Sequence, residues 1–217
     1  MKKIQFLVII IQFCIFFLIN SCIHREKSVI LNKSDKQEVI KIIPKNKYGG
    51  SYFPYELVKK TTKRAGLNFL DNGYDSVFIR LWYVYRFSLQ VVDLKKNQGV
   101  WKAESHNMQL DLINDTIQPV NIKSNPAFPK SGWESFTSKL FSLNILNLPD
   151  DSEIKDYHLN NATDASFITV EIATINKYKI YSYTEPYVHL EFLEARSMEN
   201  IIKLIDEELG LKRAEKL

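Results

Sequence analysis

A chain of 217 residues, 45% hydrophobic and 12% aromatic, is long enough to bury one sizeable core and too apolar to be disordered. Its formal net charge of +4, without any run of five like charges, gives no electrostatic footprint for a nucleic-acid partner. The two cysteines, Cys14 and Cys22, exclude a disulfide-stapled scaffold and a four-cysteine metal site.

The chain begins Met1-Lys2-Lys3, and from Ile4 to Ile19 every residue is apolar except Gln5 and Gln12. A basic start followed by such a run has the form of a secretory leader. Sixteen helical residues would span roughly 24 Å, short of the ~30 Å hydrocarbon core of a bilayer, and no charge cluster follows at once. A cleaved leader is therefore favoured over a transmembrane anchor. The run ends in Leu18-Ile19-Asn20-Ser21-Cys22, which resembles the lipobox of bacterial lipoproteins: a branched apolar residue, two small or polar residues, and a cysteine at the point of cleavage and lipidation. Asn20 departs from the Ala or Gly more usual there. The resemblance implies that Cys22 becomes the mature N-terminus and carries a diacylglyceryl thioether with a further amide-linked acyl chain. Two or more chains hold a protein stably where one holds it only marginally. It also implies the bacterial cell envelope, at the outer membrane where there are two, because Ile23 stands where inner-membrane lipoproteins tend to carry Asp. An ordinary secretory leader with an incidental cysteine, and an uncleaved anchor, are the alternatives.

Loss of residues 1–21 takes Lys2 and Lys3 from the 29 basic residues and none of the 25 acids, lowering the net charge from +4 to about +2. Cys14 leaves with the leader and Cys22 is consumed by lipid, so the folded part keeps no thiol for a disulfide, a metal site or a nucleophile. The expected organisation is a signal peptide (1–21), a lipid-anchored tether (22–47) rich in Lys, Asn, Ser and Gln, and one α+β domain (48–217). Late in the tether, Asp35 to Ile43 reads as a short strand or helix docked on the domain and ended by Pro44. Gly49-Gly50, set among aromatic residues, suits a tight turn, and those aromatics either stack on a sugar or close the edge of a core. From Glu56 a short helix is expected to finish at Gly66.

Val77 to Leu94 is dense in β-branched and aromatic residues, and four of its polar members, Arg80, Arg86, Ser88 and Gln90, fall on even positions. This predicts one long strand with an apolar odd face and a mixed even face, so that Arg80 and Arg86 meet water instead of forming an anion site. Lys95 to Gly99 is a turn, and Val100 to Leu112 returns antiparallel. Asn114 to Lys130 carries Pro119, Pro126 and Pro129 and reads as a long loop. Ser131-Gly132-Trp133-Glu134 has the form of a capping box, opening a helix with the stripe Trp133, Phe136, Leu140 and Leu143. Trp133 stacks on a ligand or, better suited to the stripe, packs in the core. Ser166 to Thr174 and Lys177 to Tyr183 predict a second hairpin, Tyr187 to Phe192 one more strand. A helix follows from Ser197, with the stripe Met198, Ile201, Ile205 and Leu209 and a stop at Gly210. The pattern predicts an α+β fold: a mainly antiparallel sheet built from two hairpins with two packed helices.

No H-E-x-x-H, G-x-S-x-G, phosphate-binding loop, G-x-G-x-x-G or S-x-x-K stands in a suitable context, so no cofactor is expected and no catalytic residue is nominated. The nearest acid and histidine pairs are Glu104 with His106, Asp156 with His158, and Glu191 with His189, each two residues apart and so on one face of a strand. At this composition such pairs also arise without function. His24 lies beside the lipid anchor. Glu171 with Glu185 or Asp164 would supply the two carboxylates a glycosidase holds about 5–9.5 Å apart, though nothing selects them from the other acids. Asp150-Asp151-Ser152-Glu153, with Asp156, offers oxygens to calcium but lacks the EF-hand order.

Two functions follow from this reading. The first is a lipid-anchored binding or accessory module whose partners are the membrane, through the lipid on Cys22, and an envelope protein or glycan. The second, which the motif-poor domain supports less, is an envelope hydrolase acting on glycan or peptide.

Overall fold

Residues 77–97 hold the centre of the sheet, and they do so as two strands, not one. The chain reverses between Val84 and Ser88, with the Tyr85 N–H donating to the Ser88 carbonyl at 3.0 Å. In the computed structural model, which describes residues 38–46, 50–85, 88–113, 116–157 and 166–211, seven strands form one mixed sheet. They are β1 (Ile40–Ile42), β2 (Val77–Val84), β3 (Ser88–Asn97), β4 (Val100–Ile113), β5 (Thr116–Ala127), β6 (Phe167–Ala173) and β7 (Lys177–Thr184), with three helices, α1 (Phe53–Ala65), α2 (Trp133–Ser142) and α3 (Leu193–Leu209). The spatial order is β1-β7-β6-β2-β3-β4-β5, antiparallel throughout except for the β1–β7 pair. The fold is thus α+β with a mainly antiparallel sheet, but it is larger than two hairpins and two helices. The leader, Cys22, Arg86, His158 and Asp164 lie outside the described residues.

The reversal between Val84 and Ser88 changes the parity of the faces. Arg80 pairs with Asp93 and Trp82 with Val91, so even positions of β2 share a face with odd positions of β3. The expected turn after Asn97 does form: Gln98 and Gly99 take φ of 48° and 82°, the positive values a two-residue hairpin turn requires. The stretch expected as a loop, Asn114 to Lys130, instead holds β5, which pairs with β4 from Ala103 to Ile113. Pro119 and Pro126 exclude a helix, as expected, but an edge strand tolerates residues that cannot donate to a ladder. The register shifts between Asn107 and Gln109, where Asn121 on the opposite strand takes a φ of 50°. In the range read as tether, the strand option is realised: Ile40–Ile42 pairs parallel with β7.

One face of the sheet is covered by α2 and α3. Ile79, Leu81, Val92, Leu94, Val170 and Tyr181 meet Phe136, Leu140, Met198, Ile201 and Ile205, all at most 1% exposed. Each such side chain contributes roughly 1.5–3 kcal/mol relative to exposure. The capping box is not made: Gly132 precedes α2 without a side-chain cap, and the Ser131 N–H donates to Glu208 of α3 at 2.8 Å. The expected strand at Tyr187 to Phe192 is a 3-10 turn, Pro186–Val188, leading into α3, which starts at Leu193, ahead of Ser197. Pro186 has no N–H for a ladder, and the stripe beginning at Ala195 already follows helical spacing.

The other face is covered by α1, which places Pro54 in its first turn and Lys63 and Arg64 in its last, and stops at Gly66 with φ 67°. β1 covers only the start of β7. Beyond it, the outward N–H groups of Ser182 and Thr184 are taken by the carboxylates of Asp150 and Asp151, at 2.8 and 2.9 Å. The acidic turn, whose oxygens lack the EF-hand order, therefore closes a sheet edge that would otherwise present free donors. No described helix is long and apolar enough to cross a membrane.

Candidate functional site

Under α1 the even face of β2 carries charge into the core. Arg80, 1% exposed, is held by Asp93 through two bonds, Nε to Oδ1 at 2.6 Å and Nη2 to Oδ2 at 3.0 Å, while its Nη1 donates to the Asn68 carbonyl at 2.9 Å. The expectation of a solvated Arg80 is thus corrected. The even face is not the wet side of an antiparallel sheet, because α1 lies across it. A guanidinium enters such a place only with a carboxylate fixed beside it. Glu171, from the neighbouring strand β6, completes the group: it accepts from Trp82 Nε1 at 2.7 Å and from the Tyr178 hydroxyl at 2.9 Å, and lies 3.9 Å from Arg80 Nη1.

The electrostatics follow from this packing. Burial raises the Asp93 carboxyl, but its contacts with His106 and Arg80 outweigh it and hold the group below the usual range. Arg80 shows the converse: burial disfavours its charge, yet Asp93 and Glu171 raise its pKa. For Glu171 burial wins over Arg80, Trp82 and Tyr178, and its pKa rises. Nearer the surface, Asp71 accepts from Lys41 at 2.9 Å and from Tyr55 at 3.0 Å; these bonds overcome burial and lower its pKa.

The expected acid and histidine pairs are dispersed. His106 Nε2 stands 3.5 Å from Asp93 Oδ2 without a hydrogen bond, and its Nδ1 bonds Ser124 at 2.7 Å. Glu104 turns instead to Lys95, 3.9 Å away. His189 and Glu191 approach to 3.7 Å, but Glu191 is exposed and the imidazole stacks on Tyr157 with 4.3 Å between ring centroids. Glu185 is not brought to Glu171: it accepts from Tyr187 at the surface, whereas Glu171 is buried under α1. Trp133 packs edge-on against Phe136, as the stripe predicts. Among the described residues, no three His, Cys, Asp or Glu side chains are grouped to hold a metal ion.

Beside the buried charges a cleft of about 390 Å³ opens between α1 and the sheet. Leu57, Val58 and Thr61 line it from the helix and Trp82, Val84, Leu89, Leu110, Pro119 and Phe167 from five strands, with Lys60 and Arg64 also on its α1 wall. Pro119, from the stretch read as a loop, is part of its wall because β5 packs against α1. A wider recess of about 600 Å³ lies at the irregular register of β4 and β5, lined in part by Gln90, Asn107, Gln109 and Asn121. Its amides already bond one another, Gln90 to Asn107 at 2.9 Å and Asn121 to Gln109 at 2.6 Å, so they are committed within the sheet. The smaller cleft combines apolar walls with a few charges, the usual composition of a ligand site.

The sequence reading passed over Asp93, Trp82, Tyr178 and Lys60. A signal was present for the first: Asp93 and Arg80 are opposite charges inside one apolar run, and burial of either requires the other. No family model, curated protein or solved structure matches the chain.

Proposed function

We propose that this chain is a lipid-anchored binding module of the bacterial envelope, attached through Cys22 and taking its ligand in the cleft beneath α1. The carrying observation is the division of labour under that helix. The charged groups of the core, Arg80, Asp93 and Glu171, are each at most 4% exposed and bonded to one another or to Trp82 and Tyr178, while the adjoining open space is walled by apolar side chains. Carboxylates committed in this way position a core; they do not meet a substrate. This favours binding over the envelope hydrolase. The partner, whether an envelope protein or a glycan conjugate, engages such a cleft through an apolar group.

Two measurements test the reading. Expressed in a bacterium, the wild-type chain should partition with membranes and carry a lipid mass increment on Cys22, and Cys22→Ala should lose both. An unlipidated, soluble wild-type product would remove the anchor. Turnover of envelope glycan or peptide by the purified chain, abolished by Glu171→Gln, would replace binding with hydrolysis.

A further inference from the structure

Resting on the cleft as the ligand site, we propose that it binds a single-chain aliphatic carboxylate, the chain lying along Trp82, Leu89 and Leu110 and the head group meeting Lys60. Three features point to this ligand. The walls are aliphatic and aromatic, and Thr61 supplies the one neutral hydroxyl among the lining side chains, so a sugar or a peptide backbone would leave its polar groups unpaired at a cost of about 1–3 kcal/mol each. The lining contains no acid and two cations, which selects an anionic head over a cationic one. Lys60 is exposed on the α1 wall and makes no ion pair with any described residue, leaving its ammonium available for a charge-assisted bond to a carboxylate. The volume, about 390 Å³, lies at the small end of ligand sites, which suits one chain.

The test uses the full chain in phosphatidylcholine nanodiscs with a photoreactive diazirine analogue of dodecanoate, the cross-linked peptides being located by mass spectrometry. Cross-links should fall on the segment Leu57 to Arg64 and on the strand carrying Leu110, and be competed by dodecanoate but not by dodecylammonium. Lys60→Gln, an exposed change that leaves the thermal midpoint in place, should weaken competition by dodecanoate roughly tenfold. Leu110→Trp, which fills the cleft, should abolish the cross-links. Equal competition by dodecylammonium, or no effect of Lys60→Gln, would overturn the carboxylate while leaving the cleft as a ligand site. Cross-links elsewhere on the chain would overturn the carboxylate and the cleft together.

Discussion

The two faces of the sheet are built by different rules. Under α2 and α3 the contact is apolar, with Leu81, Val92 and Val170 against Phe136, Leu140 and Ile201, and without a buried ion pair among the described residues. Under α1 the sheet buries Arg80, Asp93 and Glu171 and still leaves a cleft beside them. Apolar burial is non-directional and supplies stability; a buried charge cluster adds little net stability but demands one arrangement, since any lost partner strands a charge. The first face therefore holds the molecule together, and the second fixes the geometry beside an open space.

The largest effect should come from breaking that cluster. Asp93→Ala leaves Arg80 buried without its bidentate partner and is expected to lower unfolding free energy by about 3–5 kcal/mol in urea at neutral pH. Next comes a matched pair of truncations across the sheet. Leu140→Ala, in the apolar face, should cost about 2–5 kcal/mol, whereas Leu110→Ala, beside the cleft, should cost less than half as much because its side chain is only partly packed. Equal losses would mean that the two faces are packed alike.

A third effect reads on pH. Burial and the neighbouring Asp150 push the Asp151 carboxyl up to about 6 from 3.8. The folded state therefore resists its ionisation, so the favourable contribution is complete below 3.8 and is lost as pH rises toward 6. Asp151→Asn, whose side-chain oxygen still accepts from Thr184, should erase that slope, gaining on the order of 1–2 kcal/mol over wild type by pH 7. A thermal melt series across acid pH that shows parallel curves for both proteins would dismiss the shift. The smallest effect belongs to the surface: Lys95→Ala removes a partly exposed pair with Glu104, 3.9 Å apart, and should change stability by less than about 0.5 kcal/mol.

How far the fold could be read from sequence depended on the range of the signal. The β6–β7 hairpin, the turn at Gln98-Gly99 and the helix ends at Gly66 and Gly210 were legible, because period-two alternation and positive φ are local requirements. The reversal between Val84 and Ser88 was not: Val84-Tyr85-Arg86-Phe87-Ser88 lacks glycine, proline or an Asn-Gly step, and alternation runs through it unbroken. Missing that reversal hid Asp93 as the partner of Arg80, and taking the even face as wet assigned Arg80 to solvent. The β5 strand was obscured by Pro119 and Pro126, which argue against a strand everywhere except at an edge, and only the assembled sheet shows which strand is the edge. Of the candidate site, Arg80 and Glu171 were noticed separately, but Trp82 reaches Glu171 across 89 positions, a pairing no local pattern carries.

By itself the sequence determined the class of the fold, its turn and helix-stop chemistry, and the resemblance at Cys22 to a lipidation point. All of these rest on neighbouring residues or on a short motif. Tertiary structure alone decided that both faces of β2 are buried, that Asp150 and Asp151 serve a sheet edge, and that α1 spans the sheet with a cleft beneath it. Those outcomes depend on strand order and on the parity of a chain reversal, and a shift of one residue there exchanges the two faces of every strand beyond it.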